Sequence, residues 1–415
     1  MGEDGQATSG RRCAPRLLPP SLARPSRERC RALSFEPETR DWAEAGAGGA
    51  DARYMRRALD AAALGLGLAR PNPMVGAVVV AEGVVVGEGW HEGPGTPHAE
   101  PRALEQAGER ARGGTLYVTL EPCNHFGRTP PCAPAIRDAG IARVVVAVRD
   151  PNPVVYGRGL DLLRAAGIVV DEGALAEEAG TLIAGFARHV RTGLPLVTVK
   201  MAMSLDGKVA ARDRSSRWIT GEAARLDAHR LRAGSGAVVV GAGTVLADDP
   251  SITVRLEGYR GRPPLRVVLD GRGRTPPDAA VLRPDAPTLL ATSPSCPPEI
   301  RVAWEATGAE VLVIEAPAQG SGVHLGHLLG LLGKRDIQDV LIEGGPALAW
   351  SVVESGLTDR LVVYLAPKLI GGNGAPSALG GRGIAAIADA LPLTFRTVER
   401  LGEDIKVVAD VHGNR

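Results

Sequence analysis

The segment 97–132 constrains this chain more than any other feature of its sequence. It contains a His-x-Glu motif at His98 and Glu100, a Pro-Cys pair ending at Cys123, and a second cysteine at Cys132. One imidazole and two thiols are ligands that zinc takes in a tetrahedral catalytic site, with the fourth position left for water. Glu100 is placed beside that water without being a ligand. The motif therefore predicts a zinc centre with a carboxylate proton carrier, which is the chemistry of hydrolytic deamination of a nucleobase-like ring.

Other interpretations of this motif stay open at the level of residues. A closed structural zinc site results if His125 adds a fourth ligand, and two buried thiols beside a surface histidine need no metal. Eight residues separate Cys123 from Cys132, whereas two separate the cysteines of cytidine and tRNA-adenosine deaminases. A structural site has no use for a general acid or base, so Glu100 favours the catalytic interpretation.

The composition excludes several classes of function. The 48 basic and 47 acidic residues leave a net charge of +1, which gives no electrostatic footprint for a nucleic-acid backbone. Aromatic residues make up only 3% of the chain, so few stacking platforms for single strands exist. No apolar run approaches the length of a membrane span. Five cysteines, two of them in the metal motif, do not make a disulfide framework, and we expect a reducing, cytoplasmic compartment.

The 415-residue chain is too long for one ordinary domain. Residues 1–50 are rich in Arg, Pro, Ser, Gly and Ala, and we expect a disordered extension or an upstream start codon called in error. Their arginines also suit a transit peptide, although no amphipathic pattern accompanies them. From residue 51 strands and helices alternate, which predicts a three-layer α/β domain over residues 51–193. A boundary at Gly193 then precedes a second α/β domain over residues 194–415.

The second domain repeats the alternation without repeating the motif. Gly344 and Gly345 join a predicted buried strand to a predicted helix, and a glycine-rich turn at a helix N-terminus presents free N–H groups to an anion. Such a turn also forms without a ligand, so it identifies no site on its own. The sequence has no G-x-G-x-x-G fingerprint, which argues against an ordinary Rossmann dinucleotide site.

Several motifs in both halves carry a resemblance to a known family. They are Pro71-Asn72-Pro73-Met74-Val75-Gly76, Pro97-His98-Ala99-Glu100, the unbroken stretch from Glu121 to Cys132, Met203-Ser204-Leu205-Asp206-Gly207-Lys208, Trp218-Ile219-Thr220, Gly243-Thr244-Val245-Leu246-Ala247-Asp248-Asp249-Pro250 and Glu343-Gly344-Gly345-Pro346. Together they resemble the bifunctional riboflavin-biosynthesis deaminase–reductase family, which also carries the long insertion between the cysteines. The resemblance implies a cytidine-deaminase-like three-layer domain followed by a dihydrofolate-reductase-like domain.

The first reaction that the resemblance implies is a zinc-dependent deamination. It removes the 2-amino group from a diaminopyrimidinone ribosylamine 5′-phosphate. Zn²⁺ would be held by His98, Cys123 and Cys132, and Glu100 would pass a proton from water to the departing amine. Asn72, His125 and Arg128 would line the pyrimidine pocket. The simpler interpretation makes these last three a turn-forming asparagine and two solvated loop residues.

The second implied reaction reduces the ribosyl side chain to ribityl with NADPH. The resemblance places against the cofactor Ala202, Trp218, Thr244, Asp248, Gly271, Gly345, Pro346, Ala347, Leu348, Ala349, Trp350 and Ser351. It places against the substrate Ser216, Arg232, Ile252, Arg255 and Glu343, and a guanidinium fork matches a phosphate. Lys208 is a candidate to assist proton transfer, at a position where many members carry arginine.

Two other functions compete with that of a bifunctional deaminase–reductase. The first is a nucleoside or tRNA deaminase with an accessory nucleotide-binding domain, against which the missing Pro-Cys-x-x-Cys and the near-neutral charge argue. The second is a zinc-stabilised nucleotide-binding module, against which Glu100 argues. The expected partner is a small pyrimidine phosphate, with no nucleic acid and no membrane. The oligomeric state is left open, and a homo-oligomer is compatible with the sequence.

Overall fold

Strands and helices alternate along both halves of the chain, as the sequence predicts. A computed structural model describes Met1 and residues 49–127, 129–316 and 322–411. Almost all of the predicted extension over residues 1–50 therefore lies outside the described residues, and so does Arg128. No helix in the described ranges is long and apolar enough to cross a membrane.

The first half contains eleven named elements among the described residues. They are α1 (Ala50–Ala63), β1 (Gly76–Ala81), β2 (Val84–Trp90), α2 (Ala99–Ala107), β3 (Thr115–Leu120), α3 (Cys132–Asp138), β4 (Arg143–Val148), α4 (Arg158–Ala165), β5 (Val169–Glu172), α5 (Ala176–Leu182) and α6 (Ala184–Thr192). The proposed domain boundary at Gly193 falls at the C-cap of α6.

A five-stranded sheet in the order β2-β1-β3-β4-β5 forms the middle layer of this half. Strand β1 is antiparallel to β2 and β3, while β3, β4 and β5 are parallel. Helices α2, α3 and α4 cover one face, where Ala103, Ile136 and Leu163 join its core. Helices α1 and α5 cover the other face through Met55 and Ala179. The predicted three-layer α/β arrangement is confirmed, because each sheet face is buried under helices.

The second half continues the alternation with a longer series of elements. They are β6 (Leu196–Ser204), α7 (Glu222–Gly234), β7 (Ala237–Gly241), α8 (Ala242–Asp248), β8 (Leu265–Leu269), β9 (Thr288–Thr292), α9 (Pro298–Glu305), β10 (Glu310–Val313), α10 (Leu325–Gly333), β11 (Asp339–Ile342), α11 (Pro346–Glu354), β12 (Arg360–Ala366), β13 (Leu393–Leu401) and β14 (Asp404–Val411). Helices α8, α9 and α10 and strand β13 are not among the elements that the sequence predicts.

These strands form one nine-stranded sheet in the order β10-β9-β8-β7-β11-β6-β12-β14-β13. Neighbours from β10 to β12 are parallel, and β14 and β13 add an antiparallel edge. Helices α10 and α11 bury Leu328 and Val352 on one face. On the other face Trp304 of α9 is fully buried and donates to the Thr275 carbonyl at 2.9 Å. Loops at the carboxyl ends of the parallel strands are where ligands bind in sheets of this kind.

Candidate active site

The three predicted metal ligands converge at the ends of different elements. His98 is the N-cap of α2, Cys132 is the first residue of α3, and Cys123 follows β3. The His98 Nδ1 atom lies 3.2 Å from Cys132 Sγ and 3.6 Å from Cys123 Sγ. Tetrahedral bonds of about 2.0 Å to nitrogen and about 2.3 Å to sulfur place such atoms about 3.5 Å apart, so the three groups fit a zinc ion. All their ligand atoms lie within 4.8 Å of one another.

The cysteines are electrostatically suited to a metal. A hydrogen bond from the Cys132 thiol lowers the pKa of Cys123, and the His98 ring acts in the same direction, although burial opposes both. The same hydrogen bond raises the pKa of Cys132. One thiolate is therefore already favoured, and a bound cation favours the second because metal binding releases the thiol proton.

Glu100 stands beside this cluster as a buried carboxyl with an unused oxygen. Its side chain is almost fully enclosed, and its Oε2 atom has no hydrogen-bond partner among the described residues. Burial raises the pKa of Glu100 to about 7. A buried acceptor without a partner is costly, so it indicates a site where water or substrate completes the contact.

Neighbouring groups hold the His98 ring in place. The Thr129 Oγ1 atom lies 3.2 Å from His98 Nε2, the nitrogen that faces away from the cysteines. The His91 ring meets the His98 ring edge-on, with 5.2 Å between centroids. Asn72 in turn places its Nδ2 atom 2.9 Å from His91 Nε2. Such outer contacts fix the tautomer and orientation of a ligating histidine.

The loop that carries the first cysteine ligand is anchored to the start of α4. The Glu121 carboxylate accepts the backbone N–H groups of Asp150 at 3.2 Å, Gly157 at 2.9 Å and Gly159 at 3.1 Å. Helix α4 also approaches the loop so closely that a Cβ atom on Gly159 would lie 1.9 Å from the Pro122 carbonyl oxygen. The backbone leading to Cys123 is therefore fixed from two sides.

The other residues predicted for the pyrimidine pocket are less closely gathered. Asn72 is half-buried and reaches the cluster through His91, whereas His125 is exposed in the loop between the cysteines. Arg128 lies in the same loop but outside the described residues.

A second site lies in the other half of the chain, in a cavity of about 1360 Å³. The predicted residues that line it are Ala202, Ser216, Trp218, Arg232, Thr244, Asp248, Ile252, Arg255, Glu343, Gly345, Pro346, Ala347, Leu348 and Ser351. They come from β6, α7, α8, α11 and the loops between them. Residues widely separated in sequence are thus brought to one cavity by the parallel sheet.

Four predicted residues do not line this cavity. Ala349 and Trp350 belong to the buried face of α11 and pack in the core. Gly271 lies beside β8, where its carbonyl accepts the Ser293 hydroxyl at 2.6 Å. The Lys208 Nζ atom donates to a main-chain carbonyl and to a serine hydroxyl, each at 3.2 Å.

An ion pair lies within the cavity. Arg232 donates from Nη2 to Glu343 Oε2 at 2.5 Å and from Nε to Oε1 at 3.1 Å. Burial alone would raise the pKa of Glu343, and the positive charges of Arg232 and Lys200 lower it instead. Arg255 is exposed, and its guanidinium donates to the Ser251 hydroxyl at 3.2 Å.

Lys200 is a cavity residue that the sequence reasoning missed. It lies on β6 beside the Arg232–Glu343 pair, and burial lowers the pKa of its ammonium group. The signal in the sequence is a single charged residue inside the strand 196–204, which otherwise reads as apolar and hydroxyl residues. His229 was missed too; burial, together with Arg232 and Arg255, lowers its pKa to about 4.

The N-terminus of α11 in this cavity is held by a hydroxyl group from α8. Gly345 is the N-cap of α11, and its N–H donates to Thr244 Oγ1 at 3.1 Å. The next N–H groups of the first turn have no partner within the helix, so they suit an anion.

Comparison with known proteins places both sites in one family. The RibD C-terminal domain family model matches residues 195–407, and the model of the cytidine and deoxycytidylate deaminase zinc-binding region matches residues 49–148. The riboflavin biosynthesis protein RibD of Bacillus amyloliquefaciens is 43% identical over 372 residues, which cover 87% of this chain and 99% of that protein. The chain belongs to the bifunctional riboflavin-biosynthesis deaminase–reductase family.

Further relatives agree with this membership. RibD of Escherichia coli is 41% identical over 371 residues, covering 86% of this chain and 98% of that protein. The structure of Acinetobacter baumannii RibD superposes with a TM-score of 0.76 at 40% identity, over 88% of this chain and 99% of that one. A Thermotoga maritima structure, titled as a diaminohydroxyphosphoribosylaminopyrimidine deaminase/5-amino-6-(5-phosphoribosylamino)uracil reductase, has a TM-score of 0.75 at 36% identity, over 87% and 99% of the two chains.

Family membership fixes the general function of the two halves. The first is a zinc-dependent deaminase domain, and the second is a reductase domain with a dihydrofolate-reductase-like fold. The cofactors are Zn²⁺ and NADPH, and the cluster of His98, Cys123 and Cys132 is a candidate zinc site. The chain is a bifunctional enzyme of riboflavin biosynthesis that acts on a small pyrimidine, and a nucleoside or tRNA deaminase is not favoured.

Proposed function

We propose that the chain converts 2,5-diamino-6-ribosylamino-4(3H)-pyrimidinone 5′-phosphate into 5-amino-6-ribitylaminouracil 5′-phosphate, by deamination and then reduction. The observation that carries this proposal is the buried Glu100, whose Oε2 atom has no partner among the described residues, beside a zinc-fitting cluster. A separate cavity of the same chain contains Arg232 and Glu343. The two activities named for the Thermotoga maritima relative are these two steps.

In the deamination, water adds to the ring carbon that bears the 2-amino group, and ammonia leaves. Zinc held by His98, Cys123 and Cys132 supplies a Lewis acid when it is bound. Glu100 accepts a proton at its free Oε2 atom and delivers it to the departing nitrogen, so the carboxylate is regenerated. Because the pKa of Glu100 is raised by burial, this group both takes and releases a proton near neutral pH.

The pyrimidine ring is bound beside the cluster by Asn72, His125 and Arg128. The Asn72 side chain is oriented by its contact with His91, which directs its amide to one position. His125 is exposed on the insertion loop and is accessible to an incoming ring. The role of Arg128 in binding the pyrimidine is assigned from the family resemblance.

In the reduction, a hydride from NADPH and one proton are added to the opened ribosyl chain. NADPH would be held by Ala202, Trp218, Thr244 and Asp248 and by the cavity-lining part of the segment 345–351, which is Gly345, Pro346, Ala347, Leu348 and Ser351. The segment contributes its helix N-terminus, whose partial positive charge suits the phosphates of the cofactor. Ala349 and Trp350 act from behind, by holding α11 against the core.

The substrate occupies the other end of the cavity, against Ser216, Arg232, Ile252, Arg255 and Glu343. The Arg232 guanidinium is engaged by Glu343 through two nitrogens, whereas the Arg255 side chain is exposed. Arg255 is therefore the better placed of the two to meet the 5′-phosphate, since a guanidinium fork matches that group. Arg232 orients Glu343 toward the ribosyl hydroxyl groups.

Lys200 supplies the proton in this step, in place of Lys208. Lys200 lies in the cavity, and its lowered pKa makes proton release easier. Lys208 has its ammonium group directed to neighbouring loop atoms outside the cavity lining.

Residues 51–193 and 194–415 form the two catalytic domains. The enzyme works in the cytoplasm and has no nucleic-acid or membrane partner. A homo-oligomer is supported by edge strand β13, where Leu393, Phe395 and Val398 are exposed. Light scattering on the wild type and on Phe395→Arg tests the assembly, which the arginine should weaken.

Product analysis by mass tests the whole proposal. Purified zinc-loaded protein is incubated with the diaminopyrimidine substrate, with and without NADPH. Without NADPH the product should show exchange of NH for O, and with NADPH it should show a further gain of H₂. An unchanged substrate mass under both conditions would contradict the proposal.

A further inference from the structure

The loop between α1 and β1 of the deaminase half contacts residues of the reductase half. The Arg262 N–H donates to the Gly67 carbonyl at 3.0 Å, and Arg70 Nη2 donates back to the Arg262 carbonyl at 2.6 Å. Further along, Gln338 Nε2 donates to the Pro71 carbonyl. These contacts involve residues 67–71 in the middle of the loop and end at the residue before Asn72.

The reductase side of this contact is anchored to the nine-stranded sheet. Gln338 immediately precedes β11, and its own carbonyl accepts the Leu196 N–H at 2.7 Å. Its backbone is thus tied to the middle of the nine-stranded sheet. Tyr259 fits equally closely against the loop, because a Cβ atom on Gly67 would lie 2.1 Å from its hydroxyl oxygen.

The deaminase side of the contact leads directly to the zinc-fitting cluster. Asn72 follows Pro71, and its Nδ2 atom lies 2.9 Å from His91 Nε2. His91 is buried, and its ring stands edge-on against His98 at 5.2 Å. A shift of the Pro71 carbonyl therefore moves Asn72, the residue assigned to the pyrimidine ring.

We infer that Gln338, a residue of the reductase half, is a positioning residue for deamination, because it fixes the Pro71 carbonyl and hence the Asn72 amide in the deaminase pocket. This inference rests on the proposed function of Asn72 in binding the pyrimidine. It makes the dependence between the halves one-sided. The deaminase pocket is completed by the reductase domain, while the described residues that line the reductase cavity all come from the reductase half.

The test is steady-state deamination by the full-length zinc-loaded protein carrying Gln338→Met or Gln338→Glu. Both changes remove the N–H donor at nearly constant side-chain length. Each should raise KM for the diaminopyrimidine roughly two- to tenfold, the range that one hydrogen bond spans, with kcat nearly unchanged because Asn72 binds ground state and transition state alike. Reduction of the deaminated intermediate should keep its wild-type rate.

Arg188→Gln is the matched control, since it removes another contact between the two halves. Arg188 on α6 lies 3.4 Å from the Asp359 carboxylate, and no hydrogen bond or ion pair within the described ranges joins its side chain to the Pro71 loop. It should lower the melting temperature without changing KM for deamination. The inference is overturned if the Gln338 variants keep the wild-type KM, or if Arg188→Gln raises KM to the same extent. A wild-type protein that does not deaminate would instead overturn the proposed function.

Discussion

At the scale of single residues, the two sites show how burial decides the chemistry of a charged group. One oxygen of Glu100 has no hydrogen-bond partner in the part of the chain that the structure describes, and burial raises the pKa of this group. Lys200 shares the other site with Arg232 and Glu343, and burial lowers its pKa. A buried charge without full compensation is costly to stability. Burial thereby shifts both pKa values toward neutral, and proton transfer is most effective when the pKa lies near the working pH.

The assignment of Lys200 is tested by comparing Lys200→Met with Lys208→Met. Loss of a positioned proton donor costs about two to four decades in rate, so Lys200→Met should lower kcat for reduction to that extent while NADPH still binds. Lys208→Met should leave kcat within a small factor of the wild type, since Lys208 lies outside the cavity lining. Stopped-flow NADPH oxidation measures both, and the reverse ranking would contradict the assignment.

The sequence could predict the residues of the first site better than those of the second. The zinc motif lies within a short stretch of sequence, and its combination of histidine, glutamate and two cysteines has few other roles. The roles of Lys200 and Gln338 depend on contacts between distant parts of the chain. Strand β6 must pair with β11, and the residue before β11 must contact the loop before β1. These contacts depend on the order of strands in the sheet, which no local sequence pattern contains.

At the scale of elements, the start of α4 determines where the first zinc ligand lies. Glu121 accepts the N–H groups of Gly157 and Gly159 there, and Gly159 allows the helix to touch the Pro122 carbonyl. Because α4 begins in contact with the loop that carries Cys123, a shift of α4 also shifts this zinc ligand.

Gly159→Ala should therefore disturb both stability and zinc binding. The added methyl group cannot be accommodated 1.9 Å from a backbone oxygen, and overpacking of this kind costs about 1–3 kcal/mol of the free energy of unfolding. Zinc affinity should fall with it, because Cys123 is adjacent to Pro122.

Gly180→Ala is the control within α5, where no described atom beyond the neighbouring residues and the helix's own backbone lies within 4 Å of the new methyl group. It should stabilise the protein by up to ~1 kcal/mol through helix propensity and leave zinc affinity unchanged. Denaturant titration and competition with a zinc chelator measure the two quantities. Equal behaviour of both variants would refute the role given to Gly159.

The elements themselves were predictable where their pattern is regular. The strand β1 is buried at almost every position and reads as an unbroken apolar run. Strand β13 was missed, because a register shift between Phe395 and Thr397 breaks the two-residue alternation that identifies a strand. Its exposed position at the sheet edge removes the remaining signal.

At the scale of the whole molecule, one chain holds two sites with separate chemistry. One centres on Glu100 and three zinc-type ligands, and the other on a cavity over a different sheet. Through the contact of Gln338 with Pro71, the first site depends on the reductase half, whereas the described lining of the second site comes from the reductase half alone. Damage to the first site should therefore leave the second intact.

The most direct test of this account is NADPH oxidation by full-length Glu100→Gln with each of two substrates. The variant should retain zinc, because Glu100 is not a ligand, and should lose about two to four decades of deamination rate. Given the diaminopyrimidine, it should therefore consume almost no NADPH. Given the deaminated intermediate, it should oxidise NADPH at the wild-type rate. Near-normal NADPH oxidation with the diaminopyrimidine, or its loss with the intermediate, would contradict the account.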